Sequence, residues 1–456
     1  MPLKLRIKNF LSKNKTIFNI FWWIYKNLID LLNGKTIKTC YSYTKLFLFH
    51  RNDKNLISSM EDGLLRIRIT EMCNAKCRFC NFHKWNKEYS MIDKDIIYKH
   101  LKPLYEQIKM ILLTGGDPLI TKESFNFVNF INTNYPKVTM LLETNGIAFD
   151  EKWQDLSIKN LNIVHFSLNS SNEDFFVKSC WEGETGRIAY RKVQKNLKDY
   201  IKKLSEQNLE VFTPDISMVV NKDNLDDVYN FVKYALINKT KMVTFYFDYT
   251  ENNIESSSFS QPKKYRPVLK ELMKIERVLS KKFFVYFRLW VPLKELELMQ
   301  PEVEKIPIEQ LRKEYTELLE LAKNRDMKKE YENRQEIRKK HGKKTFSFKE
   351  DWTFSIQQIN LNNKDICFAP FKELDIYPNG MIECCGWIQP PRINIKKWIK
   401  NDCVDWNKLF NSTRIKKVRY DMMNDDFTIC QRCCPLNSDY NSICEPHKYG
   451  YDREKE

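Results

Sequence analysis

From Leu64 onward the chain alternates short apolar runs with longer amphipathic ones, and this alternation limits the fold more than any other feature. LLRIRIT, IKMILLTGG, KVTMLLETNG, LNIVHFSLNS, LEVFTPDISMVV and KMVTFYFDYT read as strands. SFNFVNFINTNY, AYRKVQKNLKDYIKKLSE and LDDVYNFVKYALI, which fall between them, read as helices. That order predicts parallel βα units with right-handed crossovers. Sheets of this kind place their chemistry at the carboxyl ends of the strands, so the residues closing each apolar run are the ones to inspect.

The first of these strand ends opens into EMCNAKCRFCNF, which puts Cys73, Cys77 and Cys80 within reach of one small object. Thirteen cysteines without a secretory signal at the start of the sequence point to a reducing compartment, the cytoplasm, where close cysteines more often mean metal than disulfide. Structural zinc takes four protein ligands, and here His83 is the only local candidate for the fourth. A [4Fe–4S] cube held by three cysteines instead leaves one iron with an open position, able to bind a ligand through nitrogen and oxygen.

The Cys-x3-Cys-x2-Cys spacing, with Phe79 just before the third cysteine, resembles the signature of the radical S-adenosylmethionine (radical SAM) superfamily. The resemblance implies a partial (β/α)6 TIM-like barrel in the α/β class, a SAM-binding [4Fe–4S] cluster on Cys73, Cys77 and Cys80, and Phe79 packed by the adenine. It extends to LLTGGDP, similar to the family's glycine motif. There Gly115 and Gly116 would admit the methionine amino group, since glycine has no Cβ, and Asp117 stands where Glu is common. A plain turn before a helix would use the same residues. Ser167, in HFSLNS, falls where the family meets the ribose or the methionine group. Arg187 falls where related enzymes place a guanidinium on the cofactor carboxylate, although it would equally serve as a solvent-facing helix start.

Near the C-terminus, Cys367, Gly380 and Cys385, followed by Cys430 and Cys433, resemble the opening of a SPASM/twitch auxiliary-cluster domain. Asp439 and Ile443 stand where a full SPASM domain continues with cysteine, so the resemblance implies one auxiliary [4Fe–4S] cluster, held by Cys367, Cys385, Cys430 and Cys433. Cys384 and Cys434 are adjacent rivals and Cys444 a replacement, and zinc on the same four thiols stays open.

The activity implied is reductive cleavage of S-adenosylmethionine to a 5′-deoxyadenosyl radical that removes a substrate hydrogen, fed by an external donor such as flavodoxin or ferredoxin. A fully ligated auxiliary cluster suits electron acceptance, which favours net oxidation of a sugar-like substrate over epimerisation. A SPASM-type maturase of a peptide or protein is the alternative, and a non-catalytic cluster or zinc adaptor the rival. Epimerisation would need a hydrogen donor, for which Cys180 is the unassigned candidate beside the plainer reading of a small buried side chain. Asp248 ends a strand on the reactive side or is structural.

Four regions follow: a basic arm over 1–60, the core over 61–291, a charged insertion over 292–350 read as a helical pair with solvated faces, and the cysteine-rich region over 351–456. The net charge of +17 is uneven: the arm holds eleven Lys or Arg against Asp30 and Asp53. That unevenness argues against a specific nucleic-acid reader. Within residues 1–33 a helical projection gathers Ile17, Phe18, Phe21, Trp22, Tyr25 and Leu28 on one face. The stretch is short of a span and is interrupted by Lys26 and Asp30, so the expectation is surface contact with the inner membrane face, or packing across the barrel's open side.

Overall fold

The structure is a computed structural model, and it describes residues 56–80, 90–247, 262–288, 293–348, 358–361, 364–367, 369–384 and 393–423. The arm segment 1–33 lies outside them, as do His83, Asp248, Cys385, Cys430, Cys433, Cys434 and Cys444. The chain divides into two units, Ser59–Phe410 with Phe427–Glu456 and Met1–Ser58 with Asn411–Asp426.

In the larger unit, seven parallel strands run in sequence order: β1 (Leu64–Thr70), β2 (Met110–Gly115), β3 (Thr139–Thr144), β4 (Ile163–Ser167), β5 (Asp215–Val220), β6 (Met242–Phe247) and β7 (Phe284–Arg288). The longer helices in the crossovers are α1 (Lys122–Asn134), α2 (Glu151–Lys159), α3 (Glu173–Ser179), α4 (Gly183–Glu206), α5 (Val228–Ile237) and α6 (Pro262–Leu279). Strand runs such as MILL and DISM are buried on both faces, as a helix-covered parallel sheet requires. Helix starts are fixed by side-chain caps: Thr121 Oγ1 accepts from Ser124 N at 3.1 Å for α1, and Asn172 Oδ1 from Phe175 N at 3.0 Å for α3.

The sheet exceeds the six strands expected of the barrel. Beyond β7 on one side, β1 takes β10 (Glu373–Ile376) as a parallel partner on the other, with Leu64 opposite Glu373 and Ile67 opposite Ile376. Antiparallel β11 (Met381–Glu383) and β12 (Ile393–Asn394) continue from β10, giving ten strands in the order β12-β11-β10-β1-β2-β3-β4-β5-β6-β7. The remaining described strands before β10, β8 (Gln358–Leu361) and β9 (Lys364–Cys367), form a separate hairpin ending at Cys367.

One sheet face packs under the helices: Phe166 of β4 meets Phe149 edge-on at 5.2 Å, and Phe149 meets Tyr200 of α4 at 5.0 Å. The other face is apolar only at its amino-terminal end, where Leu64, Met110, Leu112, Leu141 and Ile163 enclose Phe346. Toward the carboxyl ends the same alternation and register carry Arg68, Glu143, His165, Ser167, Ser217 and Thr244 on this face.

The charged stretch after β7 forms four helices rather than a pair: α7 (Leu293–Glu304), α8 (Ile308–Glu314), α9 (Thr316–Leu321) and α10 (Met327–Lys340). Its charge is not all solvated. Arg334 and Arg338 are each 1% exposed; Arg338 lies 4.6 Å over the Phe346 ring and Arg334 donates to the Val211 carbonyl at 3.2 Å. A guanidinium stacks on aromatic faces and reaches backbone carbonyls, so these arginines pack the barrel floor instead of facing water.

In the smaller unit, α11 (Thr413–Met423) packs Tyr420 and Met423 on Leu56. Arg419 Nη1 donates to the Leu56 carbonyl at 2.8 Å and to Asn411 Oδ1 at 2.9 Å. Among the described residues no helix is long and apolar enough to cross a membrane.

Candidate functional site

The carboxyl ends of β1, β2 and β3 are stitched into one platform. Gly116 N donates to the Thr70 carbonyl at 2.8 Å and Asp117 N to the Met72 carbonyl at 2.7 Å, so the glycine motif runs against the backbone that leads into Cys73. The approach is close enough to exclude a side chain: a Cβ on Gly116 would lie 2.1 Å from Met72 O, and one on Gly115, at φ +138°, 2.1 Å from Thr70 O.

Asp117 is fully buried and shapes this platform from below. Its carboxylate accepts from Leu119 N at 2.9 Å, Thr144 Oγ1 at 2.9 Å and Asn145 N at 2.8 Å, while burial raises its pKa. Asn145 in turn donates its side-chain amide to Asn74 Oδ1 at 2.7 Å and lies 3.6 Å from Cys73 Sγ. The ETNG end of β3 thus supports the cysteine loop, a role the sequence motif alone did not disclose.

Cys73, Cys77 and Cys80 are all partly exposed on this loop, and Phe79 is half-buried in the turn closed by Cys80 N donating to Cys77 O at 3.0 Å. Burial pushes the Cys73 thiol up to about 12, opposed by the hydrogen bond from Ala75 N and reinforced by the charges of Asp117, Cys77 and Cys80. Among the described residues no group of three or more His, Cys, Asp or Glu is gathered to the spacing of a single metal ion. A cluster distributes its thiolates over separate irons, and three partly exposed soft sulfur donors on one short loop fit such a group.

Ser167 ends β4 on the polar face; its carbonyl accepts from Asn169 Nδ2 at 2.9 Å, and Asn169 Oδ1 accepts from Val219 N at 2.9 Å. His165 Nε2, one layer deeper, lies 2.8 Å from Oγ of Ser217, the residue opposite Ser167 on β5. Arg68 forms a two-pronged contact with Asp375 of β10, Nη2 to Oδ2 at 2.8 Å and Nε to Oδ1 at 3.2 Å, and lies 4.4 Å over the Tyr377 ring. Arg187 stands apart on α4, held by Glu173 Oε1 and Asp174 Oδ1, both at 2.9 Å; Arg191, with Arg187, holds the Glu173 carboxyl down to about 2. To meet a cofactor carboxylate it must exchange these partners. Cys384, at the end of β11, is 3% exposed.

Fold and loop together define a partial-barrel protein whose three-cysteine loop caps the carboxyl end of a parallel sheet. Residues 67–235 match the model of the radical SAM superfamily, so this part of the chain is similar to a superfamily whose cofactors are a [4Fe–4S] cluster and S-adenosylmethionine. Among curated proteins it is similar to the GTP 3′,8-cyclase of Clostridium perfringens, 29% identical over 176 residues, 37% of this chain and 51% of the relative. The GTP 3′,8-cyclase of Campylobacter lari is 24% identical over 184 residues, 39% of this chain and 53% of that one. The chain spans about half the length of the curated relatives it matches. Among solved structures, Streptococcus suis SuiB bound to S-adenosylmethionine shares the fold at a TM-score of 0.51 and 13% identity, covering 88% of this chain and 78% of SuiB.

Proposed function

We propose that this protein is a radical SAM enzyme in which Cys73, Cys77 and Cys80 hold the cluster and Phe79, Gly115, Gly116 and Ser167 line the S-adenosylmethionine site. The observation that carries the reading is the backbone stitching of Gly116 and Asp117 to Thr70 and Met72, which fixes the glycine motif beside the cysteine loop. Held by Cys73, Cys77 and Cys80, the cluster would supply the single electron for reductive cleavage of S-adenosylmethionine, the source of the radical that would take a substrate hydrogen.

The chain's own part is positional. Asp117 and Asn145 hold the loop, and the two glycines, lacking a Cβ, let the strand ends close against the backbone that leads into it. The face below supports a polar substrate: Arg68, Glu143, His165, Ser167, Ser217 and Thr244 offer hydroxyl, carboxylate and cationic groups in two adjacent rows, suited to a sugar-like molecule undergoing net oxidation. A peptide or protein substrate of a SPASM-type maturase is the second reading, favoured by the overall likeness to SuiB, which has also been solved with its precursor peptide SuiA. Cys367, Cys385, Cys430 and Cys433 complete the proposal as ligands of one auxiliary cluster, with an external one-electron donor as partner.

Anaerobic reconstitution with iron and sulfide, followed by dithionite and S-adenosylmethionine, is expected to yield 5′-deoxyadenosine. Replacing Cys73, Cys77 and Cys80 together with Ala should abolish it. A spectroscopically confirmed cluster in the wild type without any 5′-deoxyadenosine would leave the adaptor reading in its place.

A further inference from the structure

A fourth thiol stands beside the cluster loop, contributed by a segment 103 residues away from it. Cys180, just after α3, is 0% exposed, and its Sγ is the donor to Cys77 Sγ at 3.4 Å. The contact is part of a built junction. Arg78 N donates to the Cys180 carbonyl at 2.9 Å, and the Arg78 guanidinium pairs with Glu182 and, at 2.9 Å, with Asp223. Cys180 N is held by the Phe176 carbonyl at 2.8 Å, and Asn221 Nδ2 donates to the Ser179 carbonyl at 3.3 Å. The α3–α4 elbow therefore works as a splint on the loop between Cys77 and Cys80.

We infer that Cys180 is a positioning residue for Cys77, whose S–H donates to the Cys77 thiolate in the cluster-bearing protein and raises the reduction potential of that cluster. This rests on the assignment of Cys73, Cys77 and Cys80 as its ligands. A thiol is a weak donor, but burial removes competition from water, and charge on the ligand sulfurs grows when the cluster gains an electron. The hydrogen bond thus favours the reduced state, the direction known for donors to cluster sulfurs in general. A thiol so engaged is not offered to a substrate, which removes Cys180 from the role of hydrogen donor in an epimerisation.

The test uses the full-length protein, reconstituted anaerobically, as wild type, Cys180→Ala and Cys180→Ser. The reduced-cluster electron paramagnetic resonance signal that changes on adding S-adenosylmethionine is followed against ambient potential, which separates this cluster from any auxiliary one. At fixed potential the reduced-to-oxidised ratio should fall about tenfold in Cys180→Ala, equivalent to about 59 mV for a one-electron couple. Cys180→Ser, which keeps a donor, should stay near wild type. Should the Ala variant fail to load iron, Cys180→Val, which fills the space without a donor, should load and show the same fall. Equal potentials in wild type and the donor-free variant overturn the role of Cys180 alone. A wild type without any S-adenosylmethionine-responsive signal overturns the ligand assignment, and this inference with it.

Discussion

Replacing Gly116 with Ala should damage the protein far beyond one added methyl group. The new Cβ would lie 2.1 Å from the Met72 carbonyl oxygen and 2.8 Å from that of Glu71, against an ordinary contact of 3.4 Å or more. Backbone atoms cannot rotate away, so the strand end must shift by more than an ångström. Overpacking of this kind costs about 1–3 kcal/mol. The shift also puts at risk the Gly116–Thr70 and Asp117–Met72 hydrogen bonds, each contributing about 1 kcal/mol. A total near 3–5 kcal/mol is a large share of the roughly 5–15 kcal/mol that holds a domain. Because Met72 adjoins Cys73, displacement of the loop by about 1 Å should lower 5′-deoxyadenosine formation on the order of 100-fold. Urea unfolding, iron content after reconstitution and product formation read these effects together. Gly342→Ala is the control: its backbone has φ +66° but nothing stands within 4 Å of the new Cβ, so only conformational strain of about 1–2 kcal/mol is expected. A Gly116→Ala protein with normal iron content and near wild-type cleavage would refute the reasoning.

Asp375→Asn should destabilise the larger unit by about 3 kcal/mol in denaturant titrations, because Arg68 and Arg66 lose the buried carboxylate they share. Lys343 is 9% exposed, and burial, helped by Arg338, lowers its pKa from 10.5 to about 8. Between these values the unfolded chain keeps a proton that the folded chain releases, so stability should rise with pH from about 8 to about 10.5, by up to about 3 kcal/mol. Lys343→Met should flatten that slope in urea midpoints measured across the range. Arg187→Ala should change S-adenosylmethionine affinity in calorimetry by less than about fivefold, the scale of the exposed pairs it forms; a larger loss would mean that Arg187 leaves Glu173 for the cofactor.

The strands and the cysteine loop are legible in the sequence because both are local: apolar runs bounded by Gly and Asn mark β2 and β3, and three cysteines within eight positions need no tertiary information. Asp117 is legible as part of a motif but not as a support, since its partners Thr144 and Asn145 lie on the next strand end. Distant pairings leave no local pattern. Cys180 reads as a small buried residue until α3 brings it to Cys77, and the partner of Arg68 lies 307 residues away. The stretch after β7 reads as uniformly solvated because charge dominates its composition, while aromatic and carbonyl acceptors under Arg334 and Arg338 belong to other segments.

The pairing of β1 with β10 also sets an order of events during synthesis. At about 5–20 residues per second, the roughly 300 residues between these strands take about 15–60 s to emerge. Throughout that interval β1 can pair with β2 but presents its other edge bare, an invitation to other nascent chains. The strand that leads into the cysteine loop is therefore the last of the parallel set to be enclosed. A ribosome-bound chain ending before Glu373 should be captured by chaperones that a chain extended past Ile376 no longer needs, so that maturation of the proposed iron site becomes coupled to completion of the sheet.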